Sequence, residues 1–179
     1  MPELSPVLSE AEIKNRVSAL ARQISADYQD EPLVVIGVLK GAFVFMADLV
    51  RSLTIPVEID FIKASSYGTS DTSSGEVRLS EALETDLKDR HVLIVEDILD
   101  TGQTIERLTA SIARYRPRSI RVCVCIDKKE RRKTDFEADY ICFSVDKGFL
   151  VGYGLDYAEQ YRYLPAIFAL KNSTSEEAK

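Results

Sequence analysis

Apolar and polar positions change most sharply in one central stretch, residues 91–104. It begins with an apolar, mostly β-branched run, Val92 to Val95, which is typical of a strand covered by helices on both faces of a parallel sheet. Two carboxylates, Glu96 and Asp97, end this run, and a polar segment follows at 100–104. The next apolar residues recur at helical spacing: Ile105, Leu108 and Ile112. The stretch therefore predicts a strand, an acidic edge, a tight turn and a helix.

Helical and strand patterns alternate along the rest of the chain. Ser9 and Glu12 form a capping box, and an apolar helical face follows them: Ile13, Val17, Leu20 and Ile24. The segment from Gly37 to Asp48 turns into a second predicted helix, with these residues on one side: Phe43, Met46, Val50 and Leu53. Further strands are predicted at 33–38, 57–64, 76–80, 121–126, 140–145 and 166–170. This alternation predicts an α/β fold with a central parallel sheet flanked by helices.

The turn after the central strand has the chemistry of an anion-binding site. The first N–H groups of a helix lack intrahelical partners, and the helix dipole adds about half a positive charge there. Gly102 lets the backbone approach a ligand, and Thr101 and Thr104 add hydroxyl donors. Glu96 and Asp97 would repel a polyanion unless they face sugar hydroxyls and a hydrated Mg²⁺. A ligand that combines a phosphate, a diol and a metal ion is a phosphorylated ribose.

The string from Val92 to Thr104 resembles the phosphoribosyl-pyrophosphate (PRPP) signature of the type I phosphoribosyltransferases. From about Leu33 to Leu170, the chain resembles the hypoxanthine-guanine group of that family. The resemblance implies a small hood over the sheet, built from the chain termini. It implies purine salvage, in which a 5-phosphoribosyl group passes from PRPP to hypoxanthine or guanine and gives IMP or GMP and pyrophosphate. It also implies Mg²⁺ as the cofactor and a homodimer or homotetramer as the assembly.

The same resemblance implies roles for individual residues. Asp100 is the implied catalytic, proton-handling carboxylate. The residues implied to bind PRPP are Lys40, Gly41, Glu96, Asp97, Thr101, Gly102, Gln103, Thr104 and Arg162. Those implied at the purine are Lys128, Phe149, Leu150 and Asp156. The implied metal-binding residues are Glu96, Asp97 and Asp156, and the implied lid residues are Ser66 and Tyr67. The Leu–Lys peptide is often cis in the family, and the resemblance carries this implication to Leu39–Lys40, although the sequence does not decide it.

Simpler structural interpretations of several segments stay open. The small, polar segment 65–75 is either a surface loop or a lid, and Lys40 is either solvated or part of a pyrophosphate loop. Phe149 is either a core aromatic or a stacking platform, and the basic run 129–133 is expected to be a solvated loop. Residues 146–148 depart from the family's proline and two polar residues, which leaves the path of the purine loop open.

Composition narrows the class of protein. A chain of 179 residues is expected to form one domain, at 1–171, followed by a polar and disordered tail at 172–179. A net charge of −6 argues against nucleic-acid and anionic-membrane partners. No apolar run approaches the roughly 20 residues of a membrane span, and no signal-peptide layout is present, so a cytoplasmic location is expected. The cysteines lie in apolar runs and are expected to be buried reduced thiols: Cys123, Cys125 and Cys142.

Two other functional classes use similar sequence features. A regulator with the same fold could sense PRPP without catalysing transfer. A kinase or ATPase could use the run from Val92 to Asp97 as a Walker B strand, but the chain contains no Gly-x-x-x-x-Gly-Lys-Ser/Thr motif. The transferase is therefore the first hypothesis, and the sequence does not rank hypoxanthine, guanine and xanthine.

Overall fold

The computed structural model describes residues 3–29, 31–63 and 83–171. In chain order, its elements are β1 (Glu3–Leu8), α1 (Glu10–Tyr28), β2 (Leu33–Leu39), α2 (Phe43–Ser52), β3 (Val57–Lys63), β4 (His91–Leu99), α3 (Gln103–Ala113), β5 (Ser119–Asp127), β6 (Tyr140–Ser144), β7 (Leu150–Val151) and β8 (Ile167–Lys171). Three expected features lie outside the described residues: the lid with Ser66 and Tyr67, the strand at 76–80 and the tail at 172–179.

The main sheet has five parallel strands in the order β3-β2-β4-β5-β6. β4 lies at its centre, and all four residues of the run Val92 to Val95 are 0% exposed. Because side chains alternate along a strand, Leu93 and Val95 pack with α1 and α2 on one face. Val92 and Ile94 pack with α3 on the other face. The expected parallel sheet flanked by helices is therefore confirmed.

β4 is longer than the apolar run indicated. The sequence predicted an end at Glu96, but the strand continues to Leu99. Backbone pairing with β5 extends to Leu99 and Asp127, because a strand can carry acidic side chains while its backbone keeps the ladder. As a result, Glu96 and Asp97 lie within the rigid sheet and not on the loop after it.

The helices show how far an apolar pattern specifies a buried face. α1 has the predicted capping box, in which Ser9 Oγ accepts the N–H of Glu12 and the Glu12 carboxylate accepts the N–H of Ser9. The predicted face of α2 was partly wrong, because Phe43 is 45% exposed. The residues that α2 buries are Phe45, Met46 and Leu49. Nearly every early position of α2 is apolar, so its periodicity fits more than one face.

A second, smaller sheet joins the two ends of the described chain. Its antiparallel strands lie in the order β1-β8-β7, which confirms the expected hood. The sequence analysis missed β1, since Pro6 interrupts a short run and proline weakens a strand prediction. The structure accommodates Pro6 because β1 is an edge strand and its register shifts between Pro6 and Leu8.

Two expectations from composition, about the cysteines and about membrane spans, can be compared with the structure. The three cysteines are free and buried, as predicted. Among the described residues, no helix is both long enough and apolar enough to cross a membrane.

Candidate active site

A cavity of about 320 Å³ opens where the carboxyl ends of β2 and β4 meet. Ligands bind at this edge in open α/β sheets. The cavity brings together these candidate residues: Lys40, Gly41, Glu96, Asp97, Asp100, Thr101, Gly102, Thr104, Asp156 and Arg162. Four other candidates do not line it: Gln103, Lys128, Phe149 and Leu150.

The loop after β2 lies directly against the acidic edge of β4. The Leu39–Lys40 peptide is cis, as the resemblance implied. A Cβ atom added at Gly41 would overlap the carboxylate of Asp97. Glycine at this position therefore allows the loop with Lys40 and the acidic strand to approach each other across the cavity.

Glu96 and Asp97 form a buried acidic pair. Glu96 is only 9% exposed, and burial followed by the charge of Asp97 raises its pKa well above the usual range. Burial also raises the pKa of Asp97. Across the described ranges, no lysine or arginine forms an ion pair with either carboxylate. The charge of Arg162 lowers the pKa of Asp97, but burial raises it by more, so the charged form of the pair has only weak support from a protein cation.

This pair fits a weakly held Mg²⁺ better than a structural metal. Carboxylate oxygens are the ligands that Mg²⁺ prefers, and Mg²⁺ usually keeps several waters and binds substrate phosphates as well. In the part of the chain that the structure describes, no three acidic, histidine or cysteine side chains form a metal-binding group. Asp156, the third implied ligand, instead has its Oδ1 2.7 Å from Nη2 of Arg162.

The turn between β4 and α3 leaves the start of the helix open. Gly102 is the N-cap residue, with φ at +84°, and no side chain caps the helix. The N–H of Gln103 donates to Oγ1 of Thr101 over a long 3.4 Å. A Cβ atom at Gly102 would collide with Oγ1 of Thr134. The uncapped N–H groups and the helix dipole make this turn suitable for a phosphate.

Arg132 holds this turn in place through its largely buried side chain. The expectation of a solvated basic loop at 129–133 was therefore wrong for this residue. Its side chain is 14% exposed and forms an ion pair with the buried Asp127. Its Nη2 and Nε donate to the carbonyl oxygens of Leu99 and Asp100, at 3.1 and 3.0 Å. A run of charges has no periodicity that singles out one inward-facing arginine, so Arg132 could not be predicted from the sequence.

Asp100 combines one paired and one unpaired oxygen. Its Oδ2 lies 3.3 Å from Nη2 of Arg131. Its Oδ1 is buried without a hydrogen-bond partner. A buried acceptor without a partner is costly, so Oδ1 is ready to accept a donor from a ligand. Arg131 holds the carboxylate in place from the exposed side.

Two cations lie on the opposite side of the cavity, and an acidic residue that the sequence analysis missed contacts both. Lys40 Nζ lies 3.0 Å from Oε2 of Glu159, and Arg162 Nη2 lies 3.5 Å from the same oxygen. Arg162 also donates to the carbonyl oxygen of Gly154 at 2.7 Å. The only sequence signal for Glu159 was its position three residues before Arg162.

Three of the candidate purine-binding residues lie near two strand ends. Lys128 directly follows β5, and Phe149 and Leu150 lie at the start of β7. Lys128 is 7% exposed, and its N–H donates to the carbonyl oxygen of Leu99 at 3.0 Å. Phe149 is 49% exposed, so the core-aromatic interpretation was wrong for it. Its ring meets Tyr157 edge to face at 5.6 Å. Leu150 is buried in β7, and Tyr157 was not among the sequence-predicted residues.

Known proteins share this architecture over most of the chain. The family model described as the phosphoribosyl transferase domain matches residues 6–158. The hypoxanthine-guanine phosphoribosyltransferase of Aquifex aeolicus is 44% identical over 95% of this chain and 96% of its own length. The enzyme of the same name from Bacillus subtilis is also 44% identical, over 95% and 94%.

A crystal structure agrees with these sequence matches. The hypoxanthine-guanine phosphoribosyltransferase of Bacillus anthracis superimposes with a TM-score of 0.88 at 40% identity, covering 96% of this chain and all of that one. The matched region includes β4, the open turn and the acidic pair. The chain therefore belongs to the phosphoribosyltransferase family, in the group of the hypoxanthine-guanine phosphoribosyltransferases.

Proposed function

We propose that this chain transfers the 5-phosphoribosyl group of PRPP to hypoxanthine or guanine in purine salvage. One observation carries the proposal: Glu96 and Asp97, which form no ion pair with a described lysine or arginine, face the same cavity as the uncapped start of α3. A phosphate and a metal-bound diol are the groups that such a surface suits. Relatives named as transferases favour the enzyme over a PRPP-sensing regulator.

In this proposal, three groups of polar residues bind the 5-phosphate, the ribose and the pyrophosphate of PRPP. Thr101, Gly102, Gln103 and Thr104 hold the 5-phosphate at the helix start. Glu96 and Asp97 face the ribose hydroxyls or metal-bound waters. Lys40, Gly41 and Arg162 lie on the pyrophosphate side. Ser66 and Tyr67 remain proposed lid residues that would exclude water, which competes for the activated sugar.

The reaction replaces one bond to the ribose with another. The bond from C1 to pyrophosphate breaks as a purine nitrogen bonds to C1, with positive charge developing on the sugar. Asp100, through its unpaired Oδ1, would accept the proton that the purine loses. When bound, Mg²⁺ would neutralise oxygens of the leaving pyrophosphate. Arg162 would stabilise the same group from the protein side.

The purine would lie between an aromatic surface and a donor. Phe149 is exposed and braced edge to face by Tyr157, which leaves it suitable for stacking on a base. Lys128 has only hydrogen-bond donors, so it would favour the carbonyl oxygen of a 6-oxopurine and reject the amino group of adenine. The backbone of Leu150 and the side chain of Asp156 complete the proposed base site.

We further propose that two copies of the chain pair through the surface around Phe43 and Tyr163. These aromatic side chains are 45% and 82% exposed, and both line a groove of about 590 Å³. Clustered exposed apolar surface of this kind marks interaction sites. Light scattering on the wild type and on Tyr163→Ser tests the pairing, and a monomeric wild type would contradict it.

A cytoplasmic location is supported by the free, buried cysteines.

One assay tests the central proposal. The purified chain is incubated with PRPP, Mg²⁺ and hypoxanthine, guanine or adenine, and pyrophosphate release is measured. We expect release with the two 6-oxopurines and little with adenine. PRPP binding by calorimetry without release with any purine would support the regulator instead.

A further inference from the structure

A single carboxylate oxygen connects the buried lysine of the proposed base site to the loop that carries Phe149. Oε2 of Glu130 lies 3.3 Å from Nζ of Lys128. The same oxygen accepts the N–H of Gly148 at 3.4 Å. Glu130 thus joins the end of β5 to the loop before β7, two segments separated by the whole of β6.

The lysine needs such a partner because it is buried. The Lys128 side chain is only 8% exposed, whereas the Glu130 side chain is 45% exposed. Removing an ammonium group from water is costly unless it is paired and hydrogen-bonded. Glu130 stabilises this charge, and the lysine in turn holds the pKa of Glu130 below its usual range. Glu130 therefore remains a charged partner for the lysine at neutral pH.

The other end of the contact lies in the part of the loop where this chain departs from the family's pattern. Gly148 closes the segment 146–148 and has φ at +109°. A Cβ atom there would meet nothing within 4 Å, so the backbone conformation and not a shortage of space favours glycine. The hydrogen bond to Glu130 holds this turn immediately before Phe149.

We propose that Glu130 is a positioning residue for the purine. It fixes the Nζ of Lys128 and the loop that presents Phe149, so that the donor and the aromatic ring are in place before the base arrives. An ammonium has three donors, so Lys128 can keep Glu130 and still donate to a purine carbonyl oxygen. This inference rests on the proposed function, because it assumes that Lys128 and Phe149 face the base.

The role has a specific kinetic consequence. Glu130 contacts neither the acidic pair nor the open turn in this structure, so its loss should affect the purine and spare PRPP. We expect Glu130→Ala to raise the KM for hypoxanthine about tenfold, the effect of losing one charge-assisted hydrogen bond. Glu130→Gln keeps an acceptor oxygen without the charge and should raise it about threefold.

The experiment compares these variants with a matched control and with a cycle of substitutions. Glu137→Gln removes an exposed carboxylate from the same connection between β5 and β6. Lys128→Gln and the double variant Lys128→Gln, Glu130→Ala complete the cycle. For each protein, kcat, the KM values for hypoxanthine and PRPP, and the thermal midpoint are measured.

We expect the purine KM to rise in the Glu130 variants while the PRPP KM stays at the control value. The thermal midpoint of Glu130→Ala should fall, because the buried ammonium of Lys128 loses its partner. In the Lys128→Gln background, Glu130→Ala should add a smaller change of about twofold, because only its long hydrogen bond to Gly148 is then left to lose. Equal effects of Glu130→Ala with and without Lys128 would overturn the positioning role, as would Glu130 variants that behave like Glu137→Gln. An inactive wild type would instead refute the proposed function, which keeps the two failures distinct.

Discussion

Lys40 and Glu159 form an ion pair across the mouth of the cavity, with 3.0 Å between Nζ and Oε2. The same Oε2 lies 3.5 Å from Nη2 of Arg162. A carboxylate therefore lies beside both cations that we propose to bind the pyrophosphate group. Both members of the first pair are more than half exposed, at 56% and 64%, so PRPP can displace the carboxylate at small cost.

Glu159→Gln should strengthen PRPP binding. Exposed ion pairs contribute about 0.2–1 kcal/mol, so we expect the KM for PRPP to fall by a factor of about 1.4 to 5 with little change in kcat. Initial rates over a range of PRPP concentrations measure this, with Asp135→Asn as an exposed control. A rise in the KM would mean that Glu159 assists the ligand and does not compete with it.

Asp100→Asn should reduce the chemical step. We expect kcat to fall about 10²- to 10⁴-fold, the usual contribution of a positioned acid or base. The affinity for PRPP should change little, because asparagine preserves the shape of the turn. Single-turnover rates and calorimetry separate these two quantities. A kcat within a few-fold of the wild type would assign the proton transfer to another group.

Activity should require a divalent cation that Glu96 and Asp97 help to hold. Excess chelator should abolish turnover, and added Mg²⁺ should restore it. PRPP with Mg²⁺ should raise the thermal midpoint of the wild type but not that of the double variant Glu96→Gln, Asp97→Asn. A ligand raises the thermal midpoint only if it binds the native protein. Full turnover in excess chelator would exclude this role for the acidic pair.

Arg132→Ala should destabilise the fold as well as the site. The substitution leaves Asp127, which is 4% exposed, buried without its partner, and such losses cost about 3–5 kcal/mol. Urea unfolding followed by circular dichroism gives the free energy of unfolding, with the exposed neighbour Lys133→Ala as the control. A change below about 1 kcal/mol would show that the Asp127 pair is replaceable.

The cysteines should resist modification in the native protein. Burial raises the pKa of the Cys142 thiol to about 12 and raises the pKa of Cys123 and Cys125 well above the usual range. The thiolate is the reactive form, and the fold disfavours it, so raising the pH from 7 to about 9 should accelerate labelling of the unfolded chain only. Ellman's reagent should count three thiols in urea. One rapidly labelled native thiol would contradict this.

The sequence was most informative where a local pattern had only one structural solution. An apolar run followed by acids, Gly102 and a helical repeat predicted β4, the turn and α3, and the structure has all three. The same string also indicated the chemistry, because the carboxyl end of a strand and the start of a helix meet there. Most of the cavity lining was therefore predictable from local order.

Contacts between distant segments were the part that the sequence could not provide. Glu159 is an ordinary exposed acid until folding brings Lys40 to it. Arg132 is one of several adjacent bases until folding brings the carbonyl oxygens of Leu99 and Asp100 to it. β1 was missed because proline weakens a strand prediction, while its partner β8 lies more than 150 residues away in sequence. Each of these three misses concerns a long-range contact that leaves no periodic pattern in the sequence.

The hood sheet has a consequence for how the protein is made. β8 is its middle strand, and both β1 and β7 pair with it alone in the described sheet. On a ribosome, β1 leaves the exit tunnel before β8 and cannot join this sheet until Ile167–Lys171 has followed it. During that interval, translation exposes β1 as an unpaired edge that invites pairing with other nascent chains. Pro6 has no backbone N–H to donate, so β1 is a poor template for such pairing while synthesis is incomplete.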